Sequence, residues 1–283
     1  MLERISFEHI DPKDVTAYDL HYHTEYSFDC QTPLLSVLKA AEQKGINLAI
    51  TDHNTITGNL KARALKPKIT ILPAVEITFA EHRDLLFYFS SPKDLIVFYE
   101  KEIKPKLPQG TNMHQEHVLD FLEHFEPETY QAVLVLPHPF GKYRKNIYSL
   151  FSKRPEDWYL LDKVHGFEIF NSVLPPKLNR KAVGWAYAEH KSITAGSDGH
   201  LLEQLGNGIT YSYTESDILE AIRKNKTYIT GAATNYLTKG HYLESYLKGY
   251  FDLKVGSYRE RLEQLEHDFK GLKKKLSEKR KLL

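Results

Sequence analysis

Two histidines separated by a single residue, His21 and His23, form the first candidate chemical site of the chain. The alternation of residue types over 19–23 predicts a β-strand, and side chains two positions apart on a strand point to the same face. Two imidazoles on one face are a ready pair of ligands for zinc, iron, manganese and related ions. An isolated pair is more typical of partly exposed histidines at a strand end, so the metal hypothesis depends on further ligands.

Residues with the same chemistry recur at the ends of four further predicted strands. They are Asp52 with His53, Glu76, His138, and Asp198 with His200. Parallel sheets gather their functional side chains along the edge formed by the carboxyl ends of their strands, so this repetition favours one shared site. Histidine combined with carboxylate is the ligand set of a di- or tri-metal hydrolytic centre. The sequence therefore predicts a metal site built from five strand ends.

The elements that must position these residues alternate strand, loop and helix. Apolar residues at helical spacing predict amphipathic helices over 34–45, 58–65, 94–103 and 113–125. Short apolar runs predict buried strands over 48–51, 69–75, 85–89, 133–136, 167–171 and 192–195. This alternation indicates a parallel α/β sheet or barrel, with its polar side chains at the carboxyl ends of the strands.

Composition restricts the class of protein. The 283 residues are 41% hydrophobic and 12% aromatic, enough for a sizeable core in one large or two smaller domains. The net charge of +1 gives no chain-wide signature of polyanion binding. Cys30 is the only cysteine, which excludes a disulfide framework and indicates a reducing compartment. No apolar run approaches the ~20 residues of a membrane helix, so we expect a cytoplasmic protein without membrane contact.

The ordered motifs of the chain resemble those of the PHP family, named for polymerase and histidinol phosphatase. The matching segments, between Asp19 and about Thr230, are DLHYHTEYSFD, ITDHNTITG, AVEIT, LPHPF, FEIFN and AGSDGH. The resemblance implies an α/β fold, a distorted (β/α)7 barrel of the TIM-like PHP type, and hydrolysis of phosphoesters. The expected domains are a PHP barrel over residues 1–235 and a C-terminal helical extension over residues 236–283.

The resemblance also implies two to three divalent metal ions, of manganese, zinc or iron, each held by histidines and carboxylates. The implied ligands are His21, His23 and Asp198 for the first ion, Glu76 and His138 for the second, and Asp29, His53 and His200 for the third. Glu76 would also bridge the first and second ions. Glu76, His138 and Asp198 would then be the catalytic residues.

One position departs from the family pattern. Members often carry a histidine just before the strand that follows the glutamate, and this chain has Asp84 there, in DLLFYF. His82 lies two residues earlier and shares the face of Asp84 if the strand extends that far. We expect Asp84 to be the replacement ligand. The alternatives are His82 and a weakly held second ion.

Two groups of residues near the predicted ligands have candidate supporting roles. Lys142, Arg144 and Lys145 follow His138, and cations beside a metal centre suit a phosphate. We expect Lys142 and Arg144 to bind substrate, with a solvated basic loop as the alternative. Asp19 and Asp52 could orient ligand histidines or simply cap strand ends. Glu168 and Asn171 could contact a metal-bound water or a ligand histidine, or simply be buried with hydrogen bonds.

Apolar residues near the C-terminus follow a heptad pattern. They are Val255, Tyr258, Leu262, Leu265, Phe269, Leu272 and Leu276. This seam pairs two chains as a coiled coil or packs against the barrel of its own chain. From Lys254 onward, 10 Lys and Arg stand against 5 Asp and Glu, a net +5 that suits nucleic acid or a solvated face.

The leading functional hypothesis is a metal-dependent phosphoesterase that acts on a small phosphomonoester or a nucleotide. Metal binding lowers the pKa of water toward ~7, so no nucleophilic serine or cysteine is needed. The alternatives are a PHP-type exonuclease on oligonucleotides, a non-catalytic PHP module, and a metal-dependent hydrolase of C–N bonds. Retention of nearly all ligands argues against the non-catalytic module. The lack of a lysine among the strand-end ligands argues against the C–N hydrolase.

Overall fold

In the computed structural model, which describes residues 14–108, 113–141, 145–213 and 217–234, two five-stranded sheets form the centre of the protein. The first sheet has the spatial order β10 (Tyr228–Gly231), β9 (Gly208–Tyr213), β1 (Val15–Tyr22), β2 (Asn47–Ile50) and β3 (Ile71–Leu72). The second sheet has the order β4 (Ala74–Thr78), β5 (Asp84–Phe89), β6 (Ala132–Leu136), β7 (Gly166–Asn171) and β8 (Ser192–Gly196). With the helices between the strands, they make a mixed α/β fold.

The α-helices of the described residues are numbered in chain order. Their bounds are α1 (Leu34–Lys44), α2 (Thr57–Ala64), α3 (Pro92–Phe98), α4 (Val118–His124), α5 (Tyr148–Phe151), α6 (Pro176–Ala188) and α7 (Ile218–Arg223). Helix α1 ends at Gly45, as predicted, because its φ of 64° is a left-handed conformation that glycine adopts readily. The helix predicted over 94–103 is α-helical only to Phe98 and continues as a π-helical turn, Tyr99–Ile103.

Both sheets are mixed, which corrects the expected parallel arrangement. Strand β1 pairs in parallel with β2 but antiparallel with β9. Strand β5 pairs antiparallel with both β4 and β6. The turn between β4 and β5 is closed by a hydrogen bond from Phe79 N to Arg83 O of 2.8 Å. A parallel pairing needs a crossover of roughly a dozen residues or more, and this turn is too short for one.

An apolar layer lies between the two sheets. Its buried members are Leu20, Ala49, Leu72, Ala74, Leu86, Tyr88, Val133, Val135, Ile218, Leu219 and Ile222, from both sheets and from helix α7. The Tyr88 hydroxyl also donates a hydrogen bond across the layer to Leu20 O, at 2.8 Å. Strand alternation places Glu76 and Asp84 on the same faces of β4 and β5 as Ala74 and Leu86. These two carboxylates therefore adjoin the apolar layer.

Isolated bridges join the two sheets near the carboxyl ends of their strands. Tyr22 bridges Gly199 beyond β8, and His53 beyond β2 bridges Glu76. Hydrogen bonds reinforce both seams, from His23 N to Gly199 O at 2.9 Å and from Asn54 N to Glu76 O at 2.8 Å. Strand pairing within the described ranges does not make the sheets continuous, so the closed (β/α)7 barrel is not confirmed.

Two expectations concern the C-terminus and the membrane. The predicted domain boundary after residue 235 and the heptads over 255–276 lie outside the described residues. In the portion of the chain with described structure, no helix combines the length and apolar character needed to cross a membrane.

The close approach of β8 and β9 at Gly196 and Gly208 leads to a prediction about stability. A Cβ on Gly208 would lie 2.2 Å from Gly196 O, a backbone atom that cannot move aside. Gly208→Ala is therefore expected to lower the free energy of unfolding by about 3 kcal/mol. Gly184→Ala is the matched control, because a Cβ at that exposed position of α6 meets no atom within 4 Å. The control should gain about 0.5–1 kcal/mol, and urea denaturation of both variants measures the contrast. Equal stabilities would contradict the close approach of the two strands.

Candidate metal centre

The first two strand-end histidines lie side by side, as the spacing of strand β1 predicts. His21 is in β1, His23 follows its last residue, and both side chains are fully buried. Their Nε2 atoms are 3.2 Å apart, and their ring centroids are 5.1 Å apart. Two imidazoles in this arrangement present their Nε2 lone pairs or protons to one shared point.

The Glu76 carboxylate lies at the centre of this histidine cluster. Its Oε2 is 3.1 Å from His21 Nε2, 3.3 Å from His23 Nε2 and 3.3 Å from His53 Nδ1. Its Oε1 is 3.3 Å from His138 Nε2. Glu76 is fully buried. The structure thus brings the Glu76 carboxylate of β4 together with four imidazoles. His21 lies within β1, and the other three follow the ends of β1, β2 and β6.

Asp198 closes the cluster on the side of β8. Its Oδ1 is 3.3 Å from His23 Nε2 and 3.5 Å from His21 Nε2. The backbone of Asp198 has a φ of 50°, and that of His138 has a φ of 30°. Positive φ values are unfavourable for residues other than glycine and cluster at functional sites. Both positions hold their side chains toward the cluster at a cost in backbone energy.

Asp29 joins a second part of the cluster from the loop after β1. Its Oδ2 is 3.1 Å from His200 Nε2 and 3.4 Å from His53 Nε2. The ring of His23 stacks between those of His53 and His200, with centroid distances of 4.8 and 4.4 Å. The Ser27 hydroxyl donates to Asp29 Oδ1 at 2.7 Å and fixes the carboxylate. Asp29 therefore contacts both histidines of the expected third ligand set, but its group of ligand atoms within 4.8 Å combines Asp29 and His200 with His23 rather than with His53.

Glu168 contacts the ring of His21 and the backbone of His138. His21 Nδ1 donates to Glu168 Oε1 at 2.9 Å, which leaves Nε2 directed at the cluster. The backbone N–H of His138 and the amide of Asn171 donate to Glu168 Oε2, at 2.8 and 2.9 Å. Asp19 accepts from the backbone N–H groups of Ser197 and Gly206, and at 3.4 Å from that of His21, whereas Asp52 accepts from Thr24.

Mutual charge shifts the pKa values within the cluster. Burial alone would raise the pKa of Glu76, but the charges of His53 and His21 hold it well below its usual range. Burial would lower the pKa of His23, yet hydrogen bonds with Asp198 and Glu76 raise that pKa to about 10. Ionised carboxylates therefore draw protons onto the neighbouring imidazoles. A divalent cation that enters such a cluster displaces those protons.

The donor set and its spacing fit metal ions. Among the described residues, the groups whose ligand atoms lie within 4.8 Å of one another are His21–His23–Asp198, His21–Glu76–His138, His23–Asp29–His200 and His23–His53–Glu76. Tetrahedral ligands at the usual zinc distances are separated from one another by roughly 3.3 Å. The contacts around Glu76 and Asp198 span 3.1–3.5 Å. Imidazole and carboxylate together suit zinc, iron and manganese.

Asp84, Lys142 and Arg144 are the predicted site residues that these four groups do not include. Asp84 is buried but belongs to none of the four groups above, and its Oδ2 is 3.7 Å from His138 Nε2. Strand β5 begins at Asp84, so it does not extend to His82, which lies in the preceding turn with a φ of 62°. Lys142 and Arg144 lie outside the described residues. Their roles stay predictions.

Thr78 was not identified from the sequence, although its hydroxyl contacts two residues of the site. Its hydroxyl is 2.9 Å from His53 Nδ1 and donates to Asp84 Oδ1 at 2.6 Å. The signal for it was present, because Thr78 lies two residues after Glu76 and therefore on the same face of β4.

Comparisons with known proteins agree with the motifs. A family model described as PHP domain matches residues 19–244. The 5'-3' exoribonuclease Rnm of Escherichia coli (strain K12) is 38% identical over 72 residues, which cover 24% of this chain and 25% of the relative. The chain thus matches about a quarter of the length of that curated relative.

Solved structures show the same fold at low sequence identity. The lesion-specific endonuclease PfuEndoQ from Pyrococcus furiosus aligns with a TM-score of 0.60 and 16% identity, over 76% of this chain and 57% of the endonuclease. A two-domain protein from Bacteroides vulgatus ATCC 8482, containing a predicted PHP-like metal-dependent phosphoesterase, aligns with a TM-score of 0.53 and 16% identity. That alignment covers 83% of this chain and 70% of the other.

The contacts of Glu168 generate a prediction about metal affinity. Glu168→Gln keeps the size of the side chain but removes the charge that holds the His21 Nδ1–H. Affinity for Mn²⁺, measured by calorimetric titration of metal-free protein, should fall roughly 10–100-fold. Glu128→Gln, at an exposed position, is the matched control and should leave the affinity unchanged. Equal affinities for both variants would show that Glu168 does not orient a ligand.

Proposed function

The chain belongs to the PHP domain family, and from this premise we propose that it is a metal-dependent phosphoesterase acting on a small phosphomonoester or a nucleotide. The observation that carries the proposal is the convergence of His21, His23, His53 and His138 on the Glu76 carboxylate, within 3.1–3.3 Å. Such a buried set of imidazoles around one carboxylate matches the ligand chemistry of a multi-metal hydrolytic centre.

The proposed ligands are those that the family resemblance implies. They are His21, His23 and Asp198 for a first ion, Glu76 and His138 for a second, and Asp29, His53 and His200 for a third; the first set is also one of the groups whose ligand atoms lie within 4.8 Å of one another. Glu76 would bridge the first two ions, since its two oxygens contact different histidines. Two to three ions of manganese, zinc or iron would supply an activated water and neutralise charge on the phosphoryl group.

Residues of the chain itself perform the remaining tasks. Glu168 fixes the ring of His21 through Nδ1 and the backbone of His138 through its N–H. The adjoining apolar layer lowers the local dielectric constant, which strengthens the interactions between the site and a charged substrate. Cys30 is no candidate nucleophile, because burial raises the pKa of its thiol, which donates to His200 O at 3.4 Å.

An aromatic cavity that includes Phe140, from the loop after His138, is a proposed contact for the base of a nucleotide substrate. Its volume is about 450 Å³, and its lining includes Phe140, Tyr148, Trp158 and Trp185. The Tyr148 and Trp185 rings stand nearly perpendicular, with centroids 5.0 Å apart. Aromatic side chains stack on nucleobases, with a gain of ~1–3 kcal/mol per base. Phe140 is two residues past His138, so the cavity and a proposed ligand share one loop.

An exonuclease that acts on oligonucleotides is the second candidate function. The names of the E. coli exoribonuclease and of PfuEndoQ favour nucleic acid, but the first match is short and the second shows the fold alone. A non-catalytic PHP module is disfavoured, because the proposed ligands converge in one buried cluster. We further propose that the sheets belong to the distorted barrel of residues 1–235, with the extension of 236–283 pairing two chains or packing on that barrel.

The function is tested with metal-loaded protein and a panel of phosphomonoesters, mononucleotides and short RNA and DNA. Mononucleotides or other phosphomonoesters should be hydrolysed faster than oligonucleotides, and chelation should abolish turnover. Glu76→Gln should lower kcat/KM by roughly 100-fold or more, because it removes the charge that two cations share.

The exposed substitution Glu100→Gln serves as the control and should keep wild-type turnover. Circular dichroism verifies the fold of both variants. Absence of hydrolysis across the panel would refute the phosphoesterase. Preferential cleavage of oligonucleotides would favour the exonuclease, and near-native turnover of Glu76→Gln would exclude the bridging role.

A further inference from the structure

The Asp84 carboxylate contacts a lysine and a threonine, unlike the carboxylates of the four His and carboxylate groups described above. Its side chain is fully buried, at the first residue of β5 and opposite Thr78 of β4. Oδ1 accepts the Thr78 hydroxyl at 2.6 Å. Oδ2 is 3.3 Å from Lys145 Nζ and 3.7 Å from His138 Nε2. The closer basic group at this oxygen is an ammonium group, not an imidazole.

The loop after His138 brings Lys145 to this position. Gly141 N donates to His138 O at 2.6 Å, and a Cβ on Gly141 would lie 2.9 Å from Lys145 Cβ. Lys145 therefore lies close to Gly141. The Lys145 side chain is 43% exposed, whereas the carboxylate that it contacts is 0% exposed. Lys145 thus stands at the rim of the cluster, a partly exposed side chain whose ammonium contacts a fully buried carboxylate.

Charge balance indicates what the pair does. A buried carboxylate needs a cation or several hydrogen bonds, because an unpaired buried charge is strongly unfavourable. Asp84 has a cation at Oδ2, the Lys145 ammonium, and one hydrogen bond at Oδ1, from the Thr78 hydroxyl. A metal ion at Oδ2 would have to displace the ammonium group or share the oxygen with it. The pairing therefore removes the electrostatic reason for Asp84 to take a metal ion.

On the basis of the proposed function, we propose that Asp84 is a positioning residue that holds Lys145 at the rim of the centre, where the Lys145 ammonium binds a phosphoryl oxygen. Asp84 then does not replace the histidine that family members often carry before this strand. A lysine ammonium is a compact point charge that suits phosphate. Its contact with a fixed carboxylate restrains a long flexible side chain, which lowers the entropy lost when a phosphoryl group binds.

The test separates metal binding from phosphate binding. Metal content is measured by elemental analysis after loading with Mn²⁺, and affinity for inorganic phosphate by calorimetry on the loaded protein. Lys145→Met should keep the metal content and weaken phosphate binding about tenfold. Lys145→Arg should restore most of that affinity. Asp84→Asn should also keep the full metal content and weaken phosphate binding, because Lys145 loses its anchor.

Lys104→Met is the matched control, since Lys104 is an exposed lysine paired with Glu100, and it should change neither quantity. Loss of one metal equivalent in Asp84→Asn would overturn the proposal and make Asp84 a ligand. Unchanged phosphate affinity in Lys145→Met would overturn the phosphoryl role. Because the Lys145 side chain is 43% exposed, Lys145→Met should fold and keeps the test valid even if Asp84→Asn does not fold. Failure of the proposed function is a different result, namely no hydrolysis of any phosphoester by the wild type.

Discussion

Burial of several carboxylates without solvent is the constraint on which the rest of this structure depends. Glu76 and Asp29 are almost completely removed from water, and Asp198 is largely so. A buried anion is tolerated only when cations or hydrogen-bond donors surround it. Here the donors are imidazoles from several separate chain segments, so the cluster exists only once the strands are assembled. The histidines that stabilise the buried carboxylates also bring nitrogen and oxygen atoms together at a spacing that suits a divalent cation.

The two sheets meet this constraint through their seams. Asp198 N donates to His21 O at 2.8 Å, so the backbone that carries one proposed ligand is fixed by the backbone of another. Glu168 adds a second link, since it accepts from the side chain of His21 and from the backbone of His138. Rigid placement of this kind keeps the reacting groups of an active site in position before a substrate binds. The positive φ values of His138 and Asp198 show that backbone strain is accepted at this edge.

The sequence predicts the cluster better than it predicts the sheets around it. His21 and His23 could be placed on one face because the strand period is two, and polar residues after buried strands could be assigned to one edge. The antiparallel pairing of β4 with β5 could not be read from hydrophobic runs, because a buried strand looks the same in either direction. The ion pair between Asp84 and Lys145 could not be predicted either, because the two residues are 61 positions apart in the sequence.

The central claim is that the buried cluster holds metal ions on both sides of the Glu76 carboxylate. Anomalous X-ray diffraction at the manganese edge, from crystals grown with Mn²⁺, tests this claim most directly because it locates the ions without reference to activity. The account predicts one anomalous peak among His21, His23 and Asp198, and a second between Glu76 and His138. A map without anomalous density in this cluster, from crystals that diffract well and contain Mn²⁺ in solution, would contradict it.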